Sequence, residues 1–292
     1  SCSGCGRIRE YAATLAQEMS LEDCLHSVDE CPAPVVTITG GEPLLYTHVH
    51  ALIDGVLARK KHIYFCTNGI LLKDALGWMR PHPNFTLNVH MDGMEATHNR
   101  ILEHPDAFAI AIDGIRAAKK AGFRIWTNTT IFKETDLKEI DELFTLLNDI
   151  GVDGFLVAPG FGYEAVGEKL FLERREIERK FREVFEMSKR HRILSTPMYL
   201  RFLMGEKKLD CTPWGNPTRN PQGWKAPCYL ITDTHYPSYR EMMEKTDWDK
   251  YGVGKDERCA QCMMHCGFEP SVVRELGKNW RDMWEMIVWN LR

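Results

Sequence analysis

Between residues 35 and 160 the chain alternates short β-branched strands with helical stretches. This alternation restricts the fold more than any other feature. "PVVTITG" (34–40), "HIYFCTNG" (62–69), "FTLNVHMDG" (85–93), "FRIWTNTTI" (123–131) and "GFLVAPG" (154–160) read as buried strands. Between them, "HVHALIDGVLARKK" (48–61), "AFAIAIDGIRAAKKAG" (107–122) and "DLKEIDELFTLLNDIG" (136–151) carry apolar residues at helical spacing. Asp136 is the predicted N-cap of the last of these, and Gly122 and Gly151 are stop signals. The charged run 168–192 predicts a further helix. Strand, helix, strand with short loops means parallel βαβ units. Strands of this kind are expected to be covered on both faces. An open doubly wound sheet and a full or partial barrel both satisfy the pattern, and both put chemistry at the C-terminal strand ends. The polar motifs "TGGEP", "CTNG", "HMDG", "TNTT" and "APG" fall there.

After about residue 195 the rhythm breaks. "LDCTPWGNPTRNPQGWKAPCYLI" (209–231) is rich in Pro, Gly, Asn and Trp and predicts a long ordered loop or a small second module. The expected division is therefore 1–195 and a cysteine-rich extension, 196–292. The net charge of -4 gives no global case for nucleic-acid binding. The basic stretches at 58–62 and 173–184 read as solvated helix faces. No apolar run reaches the roughly 18–20 residues of a membrane span, and a cytoplasmic location is expected.

The ten cysteines cluster rather than spread, which points to metal ligation in a reducing compartment. Cys2 and Cys5 form half of a tetrahedral thiolate site. "CAQCMMHC" supplies Cys259, Cys262 and Cys266, and either Cys228 or Cys211 completes four; His265 is a further candidate ligand. A closed thiolate site of this kind holds an iron–sulfur cluster or structural zinc. Cys24 and Cys31 lie in or near a helix and read as packing residues. In "TITGGEPLL", Gly40 and Gly41 let a ligand approach the backbone at a strand end, Glu42 stands where it can receive a cationic amine, and Pro43 stiffens the turn.

"CSGC" followed by Gly6 and Arg7, with GGEP about 35 residues on, resembles the radical S-adenosylmethionine enzymes. Cys2 and Cys5 fit the second and third cysteines of that superfamily's C-x3-C-x2-C motif. The first cysteine and the first strand are then expected upstream of residue 1. The resemblance implies an α/β fold, a partial (βα)6 TIM-like barrel. It also implies a [4Fe-4S] cluster with one iron left open for S-adenosylmethionine. Gly40, Gly41 and Glu42 would border the methionine moiety, and Asn68, Asp92 and Asn128 at later strand ends would touch the cofactor; each of these three serves equally well as a cap or turn former.

Further blocks, "IYFCTNGILL", "NVHMDGMEATHNRI", "CTPWGNPTRNPQGWKAPCYLI" and "RCAQCMMHCGFEPS", resemble the radical SAM adenosyltransferases of hopanoid biosynthesis over nearly the whole chain. That resemblance implies addition of a 5'-deoxyadenosyl radical to the terminal alkene of hopene (diploptene), giving adenosylhopane. The resulting tertiary radical needs a hydrogen atom, or an electron and a proton, and Cys66, outside both cysteine clusters, is the candidate thiol donor of a hydrogen atom. An electron donor such as flavodoxin or ferredoxin and peripheral membrane contact are further expectations. The segments 199–209 and 284–292 mix apolar and polar residues in a way that suits a bilayer surface. Two other readings stay open: hydrogen abstraction from a peptide or sugar by a radical SAM enzyme with an auxiliary cluster, and a non-catalytic zinc-binding module.

Overall fold

The computed structural model describes residues 12–14, 16–162 and 170–291. Cys2 and Cys5 lie outside the described residues. Helix α1 (Leu21–Glu30) starts at Ser20, whose hydroxyl accepts the Asp23 N–H at 3.0 Å. Next come five strands: β1 (Val35–Ile38), β2 (His62–Thr67), β3 (Phe85–His90), β4 (Arg124–Ile131) and β5 (Gly154–Pro159). They form one sheet in sequence order, with β1 through β4 paired parallel.

The connections are helical. Helix α2 (Val49–Ala58) comes after β1, α3 (Leu72–Ala75) after β2, α4 (Glu95–Leu102) and α5 (Ala107–Lys120) after β3, and α6 (Leu137–Ile150) after β4. The terminal signals act as the sequence predicts. Asp136 accepts the Lys138 N–H at 2.9 Å, and Gly151 ends α6 at φ 90°.

Burial shows where the strands differ from expectation. In β2, Ile63, Phe65 and Thr67 are buried while His62, Tyr64 and Cys66 are only half-buried. β4 alternates in the same way, with Trp126, Asn128 and Thr130 half-buried. One face of the sheet therefore carries the helices and the core. The other is partly open, and the two-period of a strand places Tyr64, Cys66 and Trp126 on it. The covered face is dense in aromatics: Phe65 meets Phe85 edge-on at 6.0 Å, Phe85 meets Phe123 at 6.1 Å, and Phe144 stacks on Phe155 at 4.2 Å.

Two compact units result. Residues up to 131 together with 135–157 make the first, and residues 132–134, 158–162 and 170–291 fall in the second. The sequence divides the chain at 195 instead. The difference arises because α7 (Arg174–Met187) contacts α8 (Pro197–Leu203), and so belongs with the C-terminal part of the chain. The segment after residue 209 is a module rather than a loop. An antiparallel sheet of β6 (Thr218–Asn220), β7 (Gly223–Pro227) and β8 (Thr232–Tyr236) precedes α9 (Tyr239–Lys245), α10 (His265–Glu275) and α11 (Trp280–Asn290). Buried Tyr199 on α8 anchors this module by donating its hydroxyl to the Met263 carbonyl at 2.8 Å. No described helix is long and apolar enough to cross a membrane.

Candidate active site

The loop after β1 is built around one carboxylate. Glu42 Oε1 accepts the Leu44 N–H at 3.1 Å and the Thr67 hydroxyl at 2.9 Å, and Oε2 accepts the Asn68 N–H at 2.9 Å. Glu42 thus ties the end of β1 to the end of β2. Burial raises its pKa, and the donors from Asn68, Leu44 and Thr67 oppose that rise. Oε2 retains a lone pair for an ammonium group, so a structural role and amine binding are compatible. Pro43 opens a single 3-10 turn, Pro43–Leu45. A Cβ at Gly40 or Gly41 would meet nothing within 4 Å. The backbone there is bare toward open space, as close approach by a ligand requires.

The loop after β2 is tighter. Asn68 Oδ1 accepts the Ile70 N–H at 2.9 Å, which is the turn-forming role. Gly69 has φ 82°, and a Cβ there would meet Ala111 Cβ at 3.0 Å and Val89 Cγ1 at 3.1 Å. Only glycine suits both demands.

Beyond β3, Asp92 is almost wholly buried and fully engaged. Its Oδ1 accepts the Thr130 N–H at 2.7 Å, and its Oδ2 lies 2.6 Å from His90 Nε2. Burial works against charging His90, but the Asp92 carboxylate overcomes it and the His90 pKa is raised. The Asp92 N–H donates to His98 Nδ1 at 3.3 Å. Burial pushes His98 down to about 4, so it is neutral with its proton on Nε2. Asp92 therefore locks β3 to β4 and favours the protonated form of His90. Asn128 stands opposite His90 in the sheet register, and its carbonyl accepts the Met91 N–H at 3.0 Å.

Cys66 faces the open side of the sheet. It is the register partner of Asn88 on β3, and Asn88 Nδ2 donates to its Sγ at 3.5 Å. Burial pushes the thiol up to about 11. The S–H bond is thus intact at neutral pH, which hydrogen-atom donation requires. The other end of the amide, Asn88 Oδ1, is buried without a partner. Asn88 itself is 7% exposed, and a buried orphan acceptor of this kind calls for a ligand or a water. Tyr64 and Trp126 lie alongside with ring centroids 4.7 Å apart. Sequence reading missed Asn88, His90, Tyr64 and Trp126; alternation within "IYFCT" puts Tyr64 on the face of Cys66, and only the strand register adds Asn88, His90 and Trp126.

In the second unit, Cys211, Cys228, Cys259, Cys262 and Cys266 all line one cavity, together with Phe161, Leu230, Ile231 and Phe268. His265 does not line it. Cys228 Sγ accepts the Leu230 and Ile231 N–H groups at 3.4 Å each, the kind of backbone donation that supports a thiolate. Burial pushes Cys211 up to about 12, with the neighbouring Cys228 and Cys259 adding to the rise. Burial also raises Cys262, whose neighbours are Cys211, Cys228 and Cys259. Four sulfurs thus sense one another. A Cβ at position 267 would come within 2.6 Å of Cys211 Sγ, so Gly267 makes room for that sulfur. Among the described residues no three His, Cys, Asp or Glu side chains converge on one ion. The donor set is all sulfur, which suits an iron–sulfur cluster or a structural zinc.

The comparisons agree with this geometry. Residues 1–147, half of the chain, match the Radical SAM superfamily, and the chain belongs to that superfamily, whose members use a [4Fe-4S] cluster and S-adenosylmethionine. Residues 155–286 match a domain of unknown function, DUF3463. The AdoMet-dependent heme synthase of Methanosarcina barkeri is 28% identical over 208 residues, 67% of this chain and 58% of that protein. The GTP 3',8-cyclase of Synechocystis is 27% identical over 155 residues, 52% of this chain and 47% of that protein. The chain thus spans about half the length of these curated relatives. Streptococcus suis SuiB bound to its precursor peptide SuiA shares the fold, with a TM-score of 0.61 at 13% identity over 89% of this chain and 67% of that one.

Proposed function

We propose that this protein is a radical SAM adenosyltransferase that joins the 5'-deoxyadenosyl group to the terminal alkene of a polycyclic triterpene, hopene (diploptene). The single observation that carries the chemistry is Cys66: a protonated thiol on the open face of the sheet, beside Tyr64 and Trp126 and held by Asn88. The substrate rests on the resemblance of the sequence blocks described above. When bound, the cluster and S-adenosylmethionine supply the 5'-deoxyadenosyl radical.

The chain's own residues do the rest. Cys2 and Cys5 would hold the cluster, Gly40 and Gly41 admit the methionine moiety, and Glu42 fixes the loop and receives the amine. Asn68, Asp92 and Asn128 shape the strand ends where the nucleoside would lie. Addition at the CH2 carbon leaves a tertiary carbon radical on the substrate. Cys66 gives up its S–H hydrogen atom to that carbon, forming a C–H bond and leaving a thiyl radical. One electron from a low-potential donor of the flavodoxin or ferredoxin class, and one proton, restore the thiol. His90, whose pKa Asp92 raises against the effect of burial, is a candidate to carry such a proton on the same strand as Asn88.

The five-cysteine cavity favours a second iron–sulfur cluster held by Cys228, Cys259 and Cys262 with Cys211 or Cys266. It also supports the second reading, hydrogen abstraction by an enzyme with an auxiliary cluster. An anaerobic reaction of full-length protein with reconstituted cluster, S-adenosylmethionine, reductant and diploptene separates the two. Mass spectrometry should find diploptene plus an adenosyl group plus hydrogen; 5'-deoxyadenosine with no adduct would favour abstraction from another substrate.

A further inference from the structure

Helix α11 is docked the wrong way round for a water-facing helix. Its two carboxylates point inward: Asp282 pairs with Lys207, and Glu285 takes Arg201 at 2.8 Å. Trp289 stacks inward on Phe185 at 6.0 Å. Trp280, Met283, Trp284, Ile287, Val288 and Leu291 turn outward and are 38–80% exposed. At 3.6 residues per turn these six positions fill one continuous arc about 140° wide. Turning the ion-paired acids inward while Trp280 and Trp284 face water is costly, so the face is built for something apolar.

We propose that this face is a docking surface for a lipid bilayer, with α11 lying in the plane of the interface. Charge and side-chain type select the bilayer over a protein partner. With Asp282 and Glu285 turned inward, the only charged side chain of the helix left at the edge of the strip is Arg281, stacked over Trp280 at 5.6 Å. A cation flanking tryptophans, with no acid on the exposed face, matches the headgroup layer. One flanking cation makes the contact mainly apolar, so binding is weakly salt-dependent.

The surface does not depend on the proposed reaction, so binding is read without cofactor or substrate. Full-length protein is floated with phosphatidylcholine vesicles and with vesicles containing phosphatidylglycerol. Tryptophan emission is monitored as brominated lipid is introduced. The expected result is co-flotation with both vesicle types, quenching of tryptophan by bromine placed near the headgroups, and little loss at high salt. The double substitution Trp284→Glu with Ile287→Glu, checked for unchanged circular dichroism and cysteine accessibility, should lower vesicle partition at least about tenfold. Protein that stays unbound and unquenched overturns the proposal without reference to any variant. So does a double variant that floats as well as the parent, or one whose only effect is to split a dimer, since the face would then join two copies. Slow amide exchange with unchanged tryptophan emission, showing the strip covered by other parts of the full chain, overturns it as well.

Discussion

Cys66 and Asn88 occupy facing positions on adjacent strands, and together they make the most specific chemical statement in the chain. If the thiol donates the hydrogen atom, Cys66→Ala should cut adduct formation by at least about tenfold while 5'-deoxyadenosine release continues. Equal loss of both products would instead indicate damage to cofactor binding. Because burial pushes the thiol up to about 11, the Cys66-dependent step should be flat from neutral pH upward and fall only as pH approaches that value. His90 gives a second, independent titration. Its folded pKa is raised above the ordinary 6.5, chiefly through Asp92 overcoming burial. The stability it contributes is full below about 6.5 and is lost as pH rises through the folded value. Asp92→Asn should therefore lower the His90 pKa seen by NMR and flatten stability across that window. Glu42 is the third test. Glu42→Ala strands the Asn68 and Leu44 N–H groups and the Thr67 hydroxyl, at a cost of about 1–3 kcal/mol in denaturant unfolding. A loss of S-adenosylmethionine binding with no loss of stability would assign Glu42 to the ligand alone.

At the scale of elements, the strands and helices of the first unit are legible because their signals are local. Period-2 and period-3.6 patterns mark them, Asp136 caps α6, and Gly151 ends it. What periodicity does not carry is which strand face is open. The run from Phe85 to His90 looks uniformly buried by composition, yet Thr86, Asn88 and His90 share the face that Cys66 occupies on its neighbour. That depends on register between strands more than twenty residues apart. The cysteine cavity was half legible for the same reason. Cys259, Cys262 and Cys266 are close in sequence, but Cys211 reaches them through the Thr212–Gly267 backbone hydrogen bond and Cys228 through the turn after β7. If the cavity holds a cluster, reconstituted full-length protein should contain about eight iron atoms per chain, and Cys259→Ser with Cys262→Ser should leave about four. One zinc per chain with iron unchanged in the variant would contradict a cluster there. In the turn after β2, Gly69→Ala meets both a positive φ and close neighbours, and should cost about 1–3 kcal/mol.

For the whole molecule, the family was legible from two short motifs, while the substrate was not legible from any spacing. GGEP at a strand end, with paired cysteines before it, is a statement about cofactor geometry, and the superfamily match over residues 1–147 agrees with it. Nothing in strand order or burial names a triterpene, and the substrate reading rests on the sequence blocks alone. The measurement that tests the central claim most directly is the anaerobic reaction with diploptene run in D2O. The S–H of Cys66 exchanges with solvent, so the expected product is adenosylated hopane carrying one deuterium on the tertiary carbon adjacent to the CH2 that forms the new bond. An adduct without deuterium would contradict thiol donation, and 5'-deoxyadenosine with no adduct would contradict radical addition itself.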